Sequence, residues 1–182
     1  EGVVTEANPA LALAFNARTF AQAELLGLDV MTICGTCQGV MSAANRRLKT
    51  EPGLLGRINE LLAPEGIQYS GETQVKHLLW VVVREIGVSR LRTLVSVPMA
   101  DFRIAPFYGC YILRPSWDLG FDDPENPQSL EKVIKAVGGE PVAYAGRTQC
   151  CGFPIILEKE AIAVAMAGNH MKEAKEKGAD FM

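Results

Sequence analysis

The chain has 182 residues, of which 48% are hydrophobic, so it is long enough to form one domain or two small ones with a real core. Its formal net charge of −3 argues against a nucleic-acid-binding surface, which requires a basic patch. The longest dense apolar run, residues 78–83, is too short to cross a bilayer, which takes about 20 residues. Any membrane contact is therefore expected to be peripheral and to be made through a partner.

The first half of the chain is predicted to be mostly helical, with one buried strand. Asn8 and Pro9 are typical of a helix start, and Gly27 is typical of a helix end. The predicted elements are a helix over residues 10–26, a strand over residues 28–33, a helix from about Gln38 that carries Asn45, a helix after Pro52, and a helix over residues 73–86 that Gly87 caps.

The second half is predicted to alternate strands with helices. The predicted elements are strands over residues 103–108 and 141–145, a helix that Ser129 caps and that ends at Gly138 and Gly139, and a helix over residues 158–177. The acidic residues 122–127 indicate a solvated turn rather than a Ca²⁺ loop. Because strands and helices alternate, the sequence predicts an α/β fold with parallel sheets.

The cysteines of the chain are clustered. They are Cys34, Cys37, Cys110, Cys150 and Cys151. Without secretory signals, this clustering indicates metal binding or redox chemistry and predicts a cytoplasmic protein. Neighbouring side chains on an extended backbone point apart, so the vicinal sulfurs can reach one object only if the chain turns, as Gly152 and Pro154 permit. That object is expected to be a metal or an iron–sulfur cluster, and two buried core thiols are the alternative.

The CxxC pair alone leaves three alternatives open. It is typical of a thioredoxin-type dithiol, of half a structural zinc site, and of two ligands of a cluster. Structural zinc sites usually combine two CxxC pairs, whereas this chain combines one with a vicinal pair. Five cysteines are also one more than an ordinary cubane cluster needs, which favours an unusual cluster.

The two ends of the chain resemble each other. Residues 10–31 align without gaps with residues 161–182, and the shared ending pairs Gly27, Asp29 and Met31 with Gly178, Asp180 and Met182. This predicts a duplication in which residues 1–98 form the C-terminal part of one module and residues 99–182 the N-terminal part of a second. A second CxxC is then expected just beyond Met182.

At this point the cysteine motifs resemble a known family. The pattern is similar to the cysteine-rich CCG domain found in the B subunit of heterodisulfide reductase and in the related subunit of class E succinate:quinone and fumarate reductases. The matching stretches are residues 75–79, 108–115, 120–127 and 150–152, together with Cys34 and Cys37.

The resemblance implies Rossmann-like layers and two CCG modules, each binding a noncubane 4Fe–4S cluster. It assigns Cys34 and Cys37 to the first cluster and Cys110, Cys150 and Cys151 to the second, with each ligand set incomplete in this chain. It assigns no catalytic residue.

The implied function is that of an iron–sulfur electron-transfer subunit that reduces a disulfide in a heterodisulfide reductase-like complex. Its expected partners are a ferredoxin-like iron–sulfur subunit and a flavoprotein subunit. One alternative is a quinone-interacting subunit of a succinate dehydrogenase or fumarate reductase, with peripheral membrane association. Tyr111, where heterodisulfide reductases often carry His, and the apolar residues 153–156 resemble that branch. A second alternative is a non-catalytic module that binds zinc.

Other polar and sulfur-containing side chains have more modest expected roles. His77 is expected to be a structural histidine in the helix over residues 73–86. Arg46 and Arg114 are expected either to hydrogen-bond cluster sulfides or a carboxylate substrate, or to form salt bridges. Met166 and Met171 are expected in the core.

Overall fold

A computed structural model describes the backbone of residues 2–182 and the side chains of residues 4–182. The chain forms two compact units, which meet in the sequence between Leu78 and Leu79 and are called here the N-terminal unit and the C-terminal unit. Each unit combines helices with a short parallel sheet, which confirms the predicted α/β class. The module boundary predicted at residues 98/99 concerns the duplication and stays a prediction.

The N-terminal unit places three long helices beside a two-stranded parallel sheet. Its elements are α1 (Gly2–Ala7), α2 (Pro9–Leu25), β1 (Val30–Thr32), α3 (Gly35–Thr50), α4 (Leu54–Leu62) and β2 (Val75–His77). Helix α2 begins as predicted, because the Asn8 side chain accepts the backbone N–H of Leu11 at 3.0 Å. Strands β1 and β2 pair with Thr32 opposite His77, so both strands end at the same edge.

The helix predicted over residues 73–86 is wrong at its start and at its end. Residues Val75–His77 form β2 instead, because Asp29 accepts the backbone N–H of Gln74 at 3.0 Å and so places this segment alongside β1. Helical structure begins only afterwards, and it continues past Gly87. It comprises α5 (Leu78–Trp80), a π-helical stretch (Val81–Gly87) and α6 (Val88–Leu94).

The core of the N-terminal unit lies among α2, α3 and α4, where Phe20, Leu48, Ile58 and Tyr69 are buried. A fully buried polar side chain, Gln38, links this core to the sheet. Its amide nitrogen donates to the Ser42 hydroxyl at 2.8 Å and to the Val75 carbonyl at 3.1 Å, and its amide oxygen accepts the Thr32 hydroxyl at 2.7 Å.

The C-terminal unit has a more irregular backbone. Beyond α5 and α6, its elements are β3 (Arg103–Ile104), α7 (Ser116–Leu119), α8 (Ser129–Ala136), β4 (Glu140–Pro141) and α9 (Glu160–Glu176). Strand β3 pairs in parallel with β4 on one side, and Ile104 pairs with Phe181 on the other.

The strands of the C-terminal unit are shorter than the sequence predicts. Only two residues pair in each of β3 and β4, where five or six were expected. Pro106 lacks the N–H that would continue the ladder along β3, and the chain turns toward Cys110 soon after it. Met171 is 62% exposed, so its predicted core position is wrong, whereas Met166 is half-buried.

The N-terminus of α8 is capped by a residue that lies well before it in the sequence. The Asp122 carboxylate accepts the backbone N–H of Ser129 at 2.9 Å and that of Gln128 at 3.0 Å. Ser129 was expected to be the cap itself, but it is the first helical residue, and Gln128 occupies the cap position without a side-chain hydrogen bond. The acidic turn therefore provides the N-terminal cap of α8.

Replacing Gln38 tests the link between core and sheet in the N-terminal unit. Gln38→Leu keeps the size of the side chain but leaves the Thr32 hydroxyl without its buried acceptor, so we expect a loss of about 2 kcal/mol in the free energy of unfolding. Gln22→Leu, at an exposed position on α2, is the matched control and should stay within about 0.5 kcal/mol of wild type. Urea unfolding followed by circular dichroism measures both, and equal stabilities would contradict the expectation.

Acid is expected to weaken the Asp122 cap. Burial opposes ionisation, but hydrogen bonds from Ser129 and Gln128 hold the pKa of Asp122 below its ordinary value. Because the folded pKa is depressed, the stabilisation is complete above the ordinary carboxyl pKa of about 3.9 and is lost as the pH falls through the folded value.

The stability difference between wild type and Asp122→Asn should therefore shrink as the pH falls through that range. The exposed Asp101→Asn serves as control. Tryptophan fluorescence is a suitable probe, since Trp80 and Trp117 both lie in the C-terminal unit. A difference that stays constant with pH would contradict the proposed role of the carboxylate.

Candidate functional site

The CxxC pair lies where strand β1 passes into helix α3. Cys34 occupies the cap position of α3 in an extended conformation, and Cys37 lies in the first turn. The first N–H groups of a helix lack partners within it. The Cys34 side chain makes no capping hydrogen bond, but the N–H groups of Thr36 and Cys37 lie near its sulfur.

These contacts favour the thiolate form of Cys34. Its pKa is lowered, chiefly by the backbone N–H of Cys37, although partial burial opposes this. The Cys37 thiol contributes a further hydrogen bond. The thiolate is the form of cysteine that binds metals, so the N-terminal unit presents two sulfur donors at one helix start.

The C-terminal unit brings Cys110 and Cys150 together. The two thiols lie close enough for Cys150 to act on the Cys110 thiol, although 40 residues separate them in the sequence. Burial raises the pKa of Cys110, and its interactions with the nearby Cys150 and Cys151 side chains raise it further. All the cysteines are unbridged, and these three are half-buried.

The vicinal pair is followed by a sharp turn at Gly152. The glycine has φ of +88°, a region that other residues adopt with strain, and a Cβ there would come within 2.6 Å of the Ala163 backbone. The Gly152 N–H lies 3.4 Å from the Cys150 sulfur. The turn that the sequence predicted from Gly152 is therefore present, and it carries an N–H to sulfur contact.

A buried network holds the two cysteine-bearing loops in place. The Arg147 carbonyl accepts the backbone N–H of Tyr108 at 2.8 Å and that of Gly109 at 3.2 Å. The Arg147 guanidinium pairs with Glu131, which also accepts the Tyr108 hydroxyl. Burial raises the pKa of Tyr108, which therefore remains a protonated donor. Sequence reasoning missed Glu131 and Arg147, since nothing in their local pattern predicts these contacts.

Arg114 has a bridging role between loops. Its guanidinium donates to the Thr148 carbonyl at 3.0 Å, to the Pro124 carbonyl at 2.8 Å and to the Glu125 carboxylate at 2.9 Å. These contacts support the expectation that Arg114 forms salt bridges. Arg46 is exposed on α3.

Both histidines of the chain lie beside a cysteine-bearing turn. His77 ends β2 rather than sitting in the helix where it was expected. Burial lowers its pKa, and a hydrogen bond to the Ile33 carbonyl opposes that effect. His170, which sequence reasoning missed, is buried on α9, with its Nε2 atom 2.9 Å from the Cys150 carbonyl oxygen.

The sulfur donors fit an iron–sulfur cluster in chemical type, since thiolates hold such clusters directly. Each unit contributes fewer sulfurs than the four that a cubane cluster takes. Across residues 4–182, no three Cys, His, Asp or Glu side chains group closely enough to hold a metal ion. None of the described helices combines the length and apolar character that spanning a membrane requires.

Comparison with known proteins places these motifs in a family. Residues 104–182 match the cysteine-rich domain family CCG. The chain is 36% identical, over 92% of its length, to the 8-methylmenaquinol:fumarate reductase membrane anchor subunit of Wolinella succinogenes, of which it covers 57%. It is 30% identical, over 83% of its length, to the B subunit of the ferredoxin/F420H2-dependent CoB-CoM heterodisulfide reductase of Methanosarcina acetivorans, of which it covers 50%. The chain thus spans about half the length of these curated relatives.

A solved structure supports the fold. A hypothetical protein from Helicobacter pylori superposes with a TM-score of 0.67 at 15% identity, over 93% of this chain and 29% of that one. The resemblance drawn from Cys110 and the Cys150-Cys151-Gly152 turn is therefore confirmed: residues 104–182 match the cysteine-rich domain family CCG, and the chain is similar over most of its length to subunits of two reductases.

Proposed function

We propose that the chain is part of an iron–sulfur electron-transfer subunit of a reductase complex. The observation that carries the proposal is the meeting of the Cys110 and Cys150 sulfurs next to the turn at Gly152. Cysteines from distant parts of a chain, unbridged and half-buried, are the arrangement that a thiolate-bound cluster needs. The relatives named as reductase subunits support the same role.

The five cysteines would divide between two noncubane 4Fe–4S clusters. Cys34 and Cys37 would serve one, and Cys110, Cys150 and Cys151 the other. When bound, such a cluster accepts and releases single electrons. The residues of the chain hold the sulfurs: the start of α3 stabilises the Cys34 thiolate, and the Gly152 turn fixes the vicinal pair.

Electron transfer through this subunit requires partners that supply and remove electrons. We propose a ferredoxin-like iron–sulfur subunit and a flavoprotein subunit of the same complex. The names of the relatives fit this, because they describe subunits of larger reductases, one of them ferredoxin-dependent.

For the small molecule that exchanges electrons with this subunit, we favour a quinone or its quinol. The residues directly after the vicinal pair form an exposed apolar segment, residues 153–157, in which Phe153 is 49% exposed and Leu157 is 76% exposed. An exposed apolar patch next to a redox centre suits an apolar electron carrier or a membrane surface. The relative at 36% identity is named for a methylmenaquinol.

A disulfide is the second candidate acceptor. The relative at 30% identity is named for a CoB-CoM heterodisulfide. Tyr111 stands where heterodisulfide reductases often carry His, and a phenol transfers a proton to a leaving thiolate less readily than an imidazole near neutral pH.

Metal analysis tests the cluster proposal. The subunit, purified anaerobically in its complex, is expected to contain iron and sulfide and to give an electron paramagnetic resonance signal when oxidised or reduced. Cys150→Ser should lower the iron content, whereas Ser89→Ala at an exposed position on α6 should not. Stoichiometric zinc without iron would overturn the proposal in favour of a zinc-binding module.

A pair of substitutions tests the acceptor. Replacing both Ile156 and Leu157 with Ser should lower quinone reduction and quinol oxidation by about tenfold, since burial of apolar surface against the quinone is lost. Oxidation of reduced methyl viologen with a heterodisulfide measures the second candidate in the same preparations. Met171→Ser removes an equally exposed apolar side chain outside the segment and serves as control. Heterodisulfide reduction with neither quinone reduction nor quinol oxidation in wild type would contradict our choice.

A further inference from the structure

The chain has only two histidines, and each one contacts a backbone carbonyl beside a cysteine. His77 donates to the carbonyl of Ile33, the residue before Cys34. His170 places Nε2 2.9 Å from the carbonyl oxygen of Cys150 itself. Neither residue belongs to the cysteine motifs, and His170 lies 20 residues beyond the cysteine it contacts.

We propose that His170 is a positioning residue that fixes the vicinal-cysteine turn, and with it the sulfur donors of the C-terminal unit. For the contact to be a hydrogen bond, Nε2 must carry the proton, because a carbonyl oxygen only accepts. With Nε2 used in this way, His170 acts on the cysteine turn through the backbone. The role of His170 in the turn is independent of the proposed function, and only its effect on a bound cluster rests on that function.

The imidazole itself is held in a fixed position. His170 is 8% exposed, and its ring lies against Phe107 with centroids 5.5 Å apart. On another side the ring borders Gly146 so closely that a Cβ at that position would overlap Nδ1. A side chain confined in this way can hold its hydrogen-bond partner in one orientation.

Helix α9 holds the turn at two points on one face. Ala163 and His170 are seven residues apart, which is two helical turns, so both face the same side. Gly152 lies against Ala163, and the Cys150 carbonyl lies against His170. The two contacts enclose the whole vicinal-cysteine turn.

Fixing this carbonyl constrains more than one atom. A trans peptide is planar, so anchoring the Cys150 carbonyl toward α9 directs the N–H of Cys151 away from that helix. It also limits rotation of the segment that brings the Gly152 N–H to 3.4 Å from the Cys150 sulfur. Hydrogen bonds to ligand sulfurs are among the factors that set cluster reduction potentials.

Thiol labelling of the metal-free chain tests this inference. Each cysteine is alkylated under reducing, anaerobic conditions, and its rate is followed by peptide mass mapping. His170→Leu should change the rates at Cys150 and Cys151 by about fivefold, the factor that corresponds to one hydrogen bond of about 1 kcal/mol. The rates at Cys34 and Cys37 should stay unchanged and serve as internal controls.

Two further variants separate positioning from simple stability. His170→Gln retains an N–H donor of similar reach and should restore rates to within about twofold of wild type. His77→Leu should change the rate at Cys34 and leave those at Cys150 and Cys151 unchanged. Unaltered rates in His170→Leu would overturn the proposal. So would a uniform change at all five cysteines, or a failure of His170→Gln to restore them.

The loaded protein provides the second readout. In the complex, His170→Leu should shift the midpoint potential or the resonance signal of one cluster, and His170→Gln should not. An unchanged spectrum and potential in His170→Leu would overturn the consequence at the cluster. Because labelling uses metal-free protein, it reports on the turn whatever metal the protein takes up, and iron analysis separately decides the proposed function.

Discussion

The arrangement of the C-terminal unit depends on one buried carboxylate, that of Glu131. From helix α8 it pairs with Arg147 and accepts the Tyr108 hydroxyl, so it joins the segment that leads to Cys110 with the loop that leads to Cys150. Only 12% of the Glu131 side chain and 16% of the Arg147 side chain are exposed, so water screens the pair weakly. Removing one partner of such a pair leaves a buried charge uncompensated, which typically costs about 3–5 kcal/mol.

Charged side chains are used here because the loops have little regular secondary structure. Residues 145–148 form only one turn of 3-10 helix and residues 149–152 form no regular element, so most of their backbone groups need other partners. Glu173 accepts the N–H groups of Ala145 and Gly146, while Arg114 donates to the Thr148 carbonyl. These long side chains supply the backbone hydrogen bonds that a sheet would otherwise provide, and so they hold the cysteine-bearing loop in place.

The sequence predicted an element well where the residues that define it lie within or next to that element. Helix α2 was placed within one residue at each end, because Asn8 and Gly27 mark its limits within the sequence itself. Strand β2 was missed because its identity comes from pairing with β1, 45 residues away.

The same limit applies to the candidate site. The cysteines and the Gly152 turn are visible as a motif, so they were identified from the sequence. Glu131, Arg147 and His170 act through contacts 16 to 23 residues away in the sequence, and their local surroundings resemble ordinary helix or loop residues. Residues that position a site are thus harder to predict than residues that form it, since only the fold shows which backbone groups they satisfy.

The repeated ending of helices α2 and α9 has a physical meaning that does not require duplication. Gly27 and Gly178 both adopt positive φ after their helix. Asp29 then accepts the N–H of Gln74, and Asp180 that of Arg103, each at or just before the start of a neighbouring parallel strand.

In both places, a carboxylate satisfies an N–H at the beginning of the short parallel ladder. The neighbouring strand follows the aspartate in one case and precedes it in the other, so the two partners are not equivalent positions of a repeat. The shared pattern is therefore explained by the hydrogen bonds required where a helix passes into a parallel strand. Common descent of the two segments stays a prediction, and it must be supported by residues outside this pattern.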